Sequence, residues 1–563
     1  MEQHATAPAP APTLILKNAR VYTFTWSEPG RDGAPAQDAP QRDDAWRPDA
    51  EAIAIRDGEI VETGSNEQIA GLAGPGTKTL DLAGATVLPG FVDSHAHVVT
   101  HGIQLAKVNL VGVDSEEEMI ERIAARAART PKGEWIEAWG FDEGAWADRY
   151  PDNAALSARI PDHPVHAKGL HGFATWSNDL ALEKAGITAR TPQPVGGEIV
   201  IKDGEPTGVL LNNASELLFS KVIPPLSPAQ LQEAVHKGLT DLASQGYTGI
   251  HEAGCDRACL GAFEALDAGP GLPIRVYVML QATDAALLNE WIERGPRPSA
   301  DGMLEVRAVK AYYDASLGAR GARLLEDYSD RPGHRGVSGE NYGFDRELVT
   351  RAMAAGFQVG IHAIGDAGNR ESLDFIEGVY AEHPAARRNR NRIEHAQIVH
   401  PDDQPRFAAL EVIASMEPPH MAEDMAWAED RLGRARAAHG YAWRSLRRQG
   451  ARLAFNSDLP GSDPNLFYGL HSAITRKSRA GEPAGGWFPE QAMTTEEAIR
   501  GYTTWNAYAG FAEARGGALS PGRRADLTVI DLDPFAVARE DPGALLKGSV
   551  VMTIAAGRVV HER

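Results

Sequence analysis

Six side chains carry the chemistry of this sequence: His95, His97, Lys310, His362, His395 and Asp458. His95 and His97 close the run Pro89-Gly90-Phe91-Val92-Asp93-Ser94-His95-Ala96-His97. On a strand, residues i and i+2 share a face. The two imidazoles therefore stand side by side, and imidazole is a ligand for zinc, iron or nickel. Taken alone, His-x-His reads equally well as two ordinary histidines near a strand end. The other four residues change that balance. Lys310 lies in Val306-Arg307-Ala308-Val309-Lys310-Ala311, His362 ends Val359-Gly360-Ile361-His362, His395 ends Arg392-Ile393-Glu394-His395, and Asp458 follows Phe455-Asn456-Ser457.

These runs belong to a repeating pattern. Short apolar strands alternate with helical stretches, the rhythm of βα units around a parallel sheet. Candidate strands cover residues 86–93, 247–252, 274–279, 304–312, 358–362, 392–395, 412–416 and 452–456. Eight is the number that a (β/α)₈ TIM barrel requires, and barrel chemistry sits at the C-terminal ends of its strands. All six residues fall at such ends. More than 150 residues separate the first two strands, far more than one crossover needs. Part of that length, 133–220, is expected to form an inserted cap above the first strand's C-terminal end. Short alternating strands before residue 87 and after 516, with a hairpin signal at Asp57-Gly58, predict a small β-sandwich domain built from both chain ends (13–87 and 516–563). The barrel then spans 88–515. The Pro/Asp/Ala-rich stretch 27–50 reads as a surface loop.

Composition narrows the function classes. The chain has 563 residues, 43% of them hydrophobic, and a formal net charge of −21. So acidic a protein is not built for nucleic acid or for an anionic membrane. No run of 18 apolar residues spans a bilayer. Residues 1–12 lack a basic start and an apolar core, so no signal peptide is expected and the cytoplasm is the default location. Two cysteines, Cys255 and Cys259, exclude a disulfide framework and make a poor metal site by themselves.

The set of His-x-His on strand one, Lys on strand four, His on strands five and six and Asp on strand eight resembles the amidohydrolase superfamily. Ile361-His362-Ala363-Ile364-Gly365-Asp366, Arg392-Ile393-Glu394-His395-Ala396-Gln397 and Ser316-Leu317-Gly318-Ala319-Arg320 are similar to its amidohydrolase-3 branch, with the YtcJ-like proteins and N-substituted formamide deformylases. Gly522-Arg523-Arg524-Ala525-Asp526-Leu527 resembles the superfamily's return into the small β-domain. The likeness runs from about Leu14 to Val560 and says almost nothing about substrate. Two strings depart from it: His171-Gly172-Phe173-Ala174-Thr175-Trp176-Ser177-Asn178 spaces its His and Asn widely, and Met416-Glu417-Pro418-Pro419-His420 has Glu where the branch often shows Gln.

Two divalent ions, zinc first among them, could share a hydroxide formed near neutral pH. His95, His97 and Asp458 suit one ion, and His362 and His395 the other. An ammonium repels a cation, so Lys310 is an odd ligand. The resemblance implies a lysine carbamylated by CO₂ into an anionic bridge; the alternative is an unmodified Lys310 paired with a carboxylate. Asp458 is expected to take a proton from the hydroxide and pass it to the leaving nitrogen. Asp93 shares the inward parity of the two histidines and either orients an imidazole or serves the fold. Glu394 has the opposite parity to His395 and is expected to face the helices as a structural residue.

Candidate substrate contacts are His171, Trp176, Arg320 and His420, with Asp424 beside the last. Asn178, Trp135, Trp139, Phe141 and Trp146 add to the aromatic and polar content of the cap, either as a pocket wall or as cap core. The reading is a metal-dependent hydrolase of C–N bonds in an amide, N-formyl or carbamate-like small molecule with an apolar or aromatic part. Ester or lactone hydrolysis, or a non-catalytic assembly protein on the same fold, are the alternatives. A small molecule is the expected partner, without nucleic acid or membrane, and a homodimer is compatible with the sequence.

Overall fold

The computed structural model describes residues 10–113, 115–141, 151–169, 174–194, 197–212, 214, 219, 221–299 and 301–563. The chain forms two compact units, one of residues up to Val98 with Leu239–Arg563 and a second of Val99–Gly238. No helix among the described residues is long and apolar enough to cross a membrane.

The first unit holds eight parallel strands: β1 (Phe91–Ala96), β2 (Tyr247–Cys255), β3 (Arg275–Gln281), β4 (Leu304–Tyr312), β5 (Gln358–Ala363), β6 (Arg392–His395), β7 (Ile413–Met416) and β8 (Arg452–Phe455). Each pairs in parallel with the next, from β1 through β8. Near-closure comes from an isolated parallel bridge between Ala96 and Leu459, where the His97 N–H donates to the Leu459 carbonyl at 2.7 Å. This is the α/β barrel that eight apolar runs with intervening helices predict. The strands are buried almost throughout because helices such as Arg257–Ala268, Arg346–Ala354 and Asp366–Glu382 cover them, which is why they read as near-continuous apolar runs.

The first predicted strand is two strands. Thr86–Pro89 pairs with Leu527–Ile530 from the C-terminal end of the chain, and β1 starts only at Phe91. Gly90 marks the break, and a Cβ there would lie 2.2 Å from the Thr248 hydroxyl, so only glycine lets β2 approach. The chain ends build two sheets: Glu59–Gly64, Ala52–Arg56, Leu14–Lys17 and Lys78–Asp81 in one, and Arg20–Val21, Thr86–Pro89, Leu527–Ile530, Val550–Ala555 and Arg558–Glu562 in the other. They share one apolar core that includes Leu16, Ile53, Val87, Leu527 and Ile554. Asp57 and Gly58 both have positive φ, 53° and 82°, as a type I′ hairpin turn demands.

The second unit is built on a six-stranded sheet in the order Val108–Asn109, Ile136–Phe141, Val165–Gly169, Ala174–Ser177, Glu205–Asn212, Gly197–Lys202. Helix Glu116–Ala127 packs its buried Met119, Ile120 and Ile123 on that sheet.

Candidate metal centre

The ends of β1, β4, β5, β6 and β8 bring the six residues together. His95 and His97 rings lie 5.4 Å apart, His95 and His395 5.0 Å, and His362 and His395 4.4 Å. Asp458 Oδ1 is 3.3 Å from His97 Nε2 and 3.5 Å from His95 Nε2. Lys310 Nζ lies 2.8 Å from His95 Nε2. Ligand atoms of His95, His97 and Asp458 all fall within 4.8 Å of one another, and so do those of His395, His420 and Asp458. Asp458 reaches inward from a left-handed backbone, φ 52°, held by the Asn456 side chain, which accepts from its N–H at 3.1 Å.

Carboxylates stand behind three of these imidazoles. Glu394 Oε2 meets His95 Nδ1 at 2.6 Å. Asp314 Oδ1 lies 3.6 Å from His362 Nε2. Glu417 Oε2 lies 3.2 Å from His395 Nδ1. A carboxylate on one ring nitrogen fixes tautomer and orientation and leaves the other nitrogen for a cation. For His95, hydrogen-bonded to Glu394 through Nδ1, that leaves Nε2 as the coordinating atom; His362 Nε2 and His395 Nδ1 have a carboxylate nearby but no made hydrogen bond.

The Glu394 expectation is corrected here. Strand parity sends it toward the helices, yet it is fully buried between His95 and the Arg392 guanidinium, whose Nε donates to it at 2.6 Å. The alternation breaks because His395 and Ala396 have φ of 74° and 40°, so the backbone turns and both Glu394 and His395 reach inward. Asp93 serves the backbone: it accepts from the N–H groups of His95 and Ser457 at 3.1 and 3.2 Å and ties β1 to the turn after β8. Asp314 does likewise for the loops after β4 and β5, accepting from Arg323, Ile364 and Gly365 N–H at 2.8, 2.9 and 2.9 Å. Neither Asp314 nor Glu417 could be singled out by periodicity, since both follow their strands.

Electrostatics favour bound cations. Burial, with the Lys310 charge nearby, pushes the His95 imidazole down to about 4. Burial and the neighbouring His395 hold His362 well below its usual range. Both rings are therefore neutral at pH 7, the form that binds metal. Burial brings Lys310 down to about 8 against the opposing pull of Glu394 and Asp458. Burial opposes ionisation of Asp458, but the hydrogen bond from His97 and the surrounding imidazoles outweigh it and hold the carboxyl well below its usual range. His362 Nε2 and Glu417 Oε1 are buried without a hydrogen-bond partner. Neutral imidazoles, an ionised aspartate and orphaned polar atoms in one cluster fit a divalent metal site.

His420, on helix Pro418–Asp424 after β7, belongs to the cluster, with Nε2 3.7 Å from Asp458 Oδ2. Asp424 is tied to Tyr441 and Gln397 at 2.5 and 3.1 Å. Arg320 is committed to Asp330 through two hydrogen bonds of 3.1 and 2.8 Å, which leaves no free fork for a substrate. Trp176 is fully buried in the apolar core of the second unit with Phe141 and Ile136, so it packs in that core. Asn178 caps helix Asp179–Ala185 and donates to the Ile160 and His163 carbonyls. Trp135 packs on the cluster of Leu182, Ile187 and Phe219, and Trp139 is half-buried on Ile136–Phe141. His171 and Trp146 lie outside the described residues. Cys255 and Cys259 form a disulfide between the end of β2 and the first turn of its helix, so neither thiol is available to a metal.

Comparison with known proteins finds relatives along nearly the whole chain. The profile of a group described as Amidohydrolase family matches residues 78–561. The chain is 32% identical over 522 residues to the putative amidohydrolase YtcJ of Bacillus subtilis, covering 91% of this chain and 96% of that one. It is 27% identical over 548 residues to the N-substituted formamide deformylase of Arthrobacter pascens, covering 92% and 96%. Among solved structures, an uncharacterized metal-dependent hydrolase of Pyrococcus horikoshii superposes with a TM-score of 0.72 at 26% identity, over 94% of this chain and 99% of that one.

Proposed function

The chain belongs to the amidohydrolase family, and from that premise we propose that it hydrolyses a C–N bond of a small amide, N-formyl or carbamate-like compound with two divalent cations, zinc foremost. The observation that carries the reading is the convergence of His95, His97, Lys310, His362, His395 and Asp458 at the C-terminal ends of five barrel strands and their loops. Such ends host barrel catalysis. The name of the Arthrobacter pascens relative makes N-substituted formamides the first substrates to try.

His95, His97 and Asp458 would hold one cation and His362 and His395 the other, with Lys310, 2.8 Å from His95 Nε2, shared between them. Bound there, divalent cations acidify water and polarise the scissile carbonyl. Lys310 takes part as a carbamate. Its neutral amine forms a bond to the carbon of CO₂, one C=O bond becomes the carboxylate, and the displaced proton leaves to solvent. Burial already brings the amine down to about 8, which raises its neutral fraction near physiological pH. Asp458, ionised and beside His97, takes a proton at a carboxylate oxygen from the attacking water as its oxygen bonds to the carbonyl carbon, and gives that proton to the nitrogen as the C–N bond breaks. Glu394 holds the His95 ring while this happens.

Full-length protein loaded with Zn²⁺ should hydrolyse members of a panel of N-formyl, N-acyl, carbamate, ester and lactone compounds, and lose activity on chelation. Turnover of esters or lactones alone would move the assignment to that chemistry. No turnover of any class, from protein that holds its metal, would favour a non-catalytic role.

A further inference from the structure

Glu417 is placed to serve two imidazoles at once. It follows β7 directly, precedes helix Pro418–Asp424 and is 3% exposed. Its Oε2 lies 3.2 Å from Nδ1 of His395 and 3.7 Å from Nδ1 of His420. The two rings are nearly parallel, 7° between planes with centroids 6.2 Å apart. His420 Nε2 lies 3.7 Å from Asp458 Oδ2, and a ring nitrogen of each histidine and an Asp458 oxygen all lie within 4.8 Å of one another. The other carboxylate oxygen, Oε1, is buried without a hydrogen-bond partner. A buried carboxylate with an orphaned oxygen persists where positive charge adjoins it.

We propose that Glu417 is the positioning residue of the second cation site. It accepts from Nδ1–H of both His395 and His420, fixes both rings as the same tautomer, and turns both Nε2 atoms toward one cation shared with Asp458. His420 thereby joins the donors of that cation and is not primarily a substrate contact. At 3.2 Å the His395 contact is within reach but not aligned as a hydrogen bond, the His420 contact is longer still, and small rotations of the two rings make both. Glu394 does the same work for His95 alone. This inference rests on the metal-dependent reading above.

The test is a cobalt titration of the metal-free full-length protein, followed by visible absorption. Wild type should fill two sites. Glu417→Leu fills similar space and removes both oxygens, so neither Nδ1–H has its acceptor. It should leave the His95/His97 site at wild-type affinity and weaken the other by about 10- to 100-fold, the usual effect of losing a ligand-orienting carboxylate. The d–d bands of the weakened site should change while those of the intact site stay. His420→Asn, at a half-buried position, should weaken the same site and guards against misfolding of the first variant. Two wild-type affinities in either folded variant would overturn the inference and leave the hydrolase reading standing. A wild-type protein that takes up no cobalt would overturn both.

Discussion

Glu394→Gln is the substitution whose consequences the geometry fixes most tightly. The side chain is fully buried, accepts from Arg392 Nε at 2.6 Å and meets His95 Nδ1 at 2.6 Å. Glutamine has nearly the same volume, so no cavity forms and the change is one of charge and donors. An amide has one acceptor oxygen where the carboxylate offers two. If that oxygen keeps Arg392, the NH₂ group faces His95 and requires Nδ1 to accept. The proton then sits on Nε2, the atom that should face a cation. If the oxygen keeps His95, the buried guanidinium loses its carboxylate partner and keeps only neutral ones, His251 and the Ser94 carbonyl. Removing one member of a buried ion pair costs about 3–5 kcal/mol, and loss of ligand orientation weakens metal binding by about 10- to 100-fold. Urea unfolding of metal-free protein at pH 7 should show the first loss, and the metal content of purified protein the second. The pH dependence has a defined sign. Burial opposes ionisation of Glu394, but Arg392 and His95 outweigh it and hold the carboxyl well below its usual 4.5. Its stabilisation is therefore complete above that value and disappears as pH falls through the lower, folded one. Wild type and variant should differ fully at pH 7 and converge in strong acid. A variant within about 0.5 kcal/mol of wild type, the range of an ordinary surface change, with normal metal content would refute the reasoning.

Asp458→Asn should keep its metal, measured by elemental analysis, and lose turnover by about two to four powers of ten, the scale of general acid–base help; near-full activity would put the proton elsewhere. Reactivation of CO₂-depleted, metal-free protein by bicarbonate and Zn²⁺ should speed up from pH 7 to about 8 and then level, because Lys310 becomes a neutral amine above about 8; recovery indifferent to bicarbonate would leave Lys310 unmodified. Trp176→Ala should destabilise the second unit by about 3–5 kcal/mol, read by denaturant unfolding, with the ratio of kcat/KM between substrates unchanged.

The barrel was legible because each buried strand is a short apolar run and each site residue ends or follows one. The His-x-His of β1 could be placed from strand parity alone. Parity misled at Glu394, where the left-handed backbone of His395 breaks the alternation that the rule assumes. It also could not see that Thr86–Pro89 and β1 belong to different sheets, since Pro89-Gly90 interrupts pairing without interrupting hydrophobicity. The aromatic residues of the cap segment read as core one by one and as a pocket wall taken together, and burial places Trp176 and Phe141 in the core. Arg320 gave no sign that Asp330, ten residues on, would occupy it. Asp314 and Glu417 act through distances between neighbouring strand ends, which one-dimensional spacing does not record.

The central claim is that these side chains hold metal, and the metal content of full-length protein purified without chelator tests it most directly. The account predicts about two divalent ions per chain, as expected of a site that clamps water and substrate between cations, falling when His97 or His362 is replaced by alanine. Protein that is folded and free of metal, and that takes up none when Zn²⁺ is supplied, would contradict it.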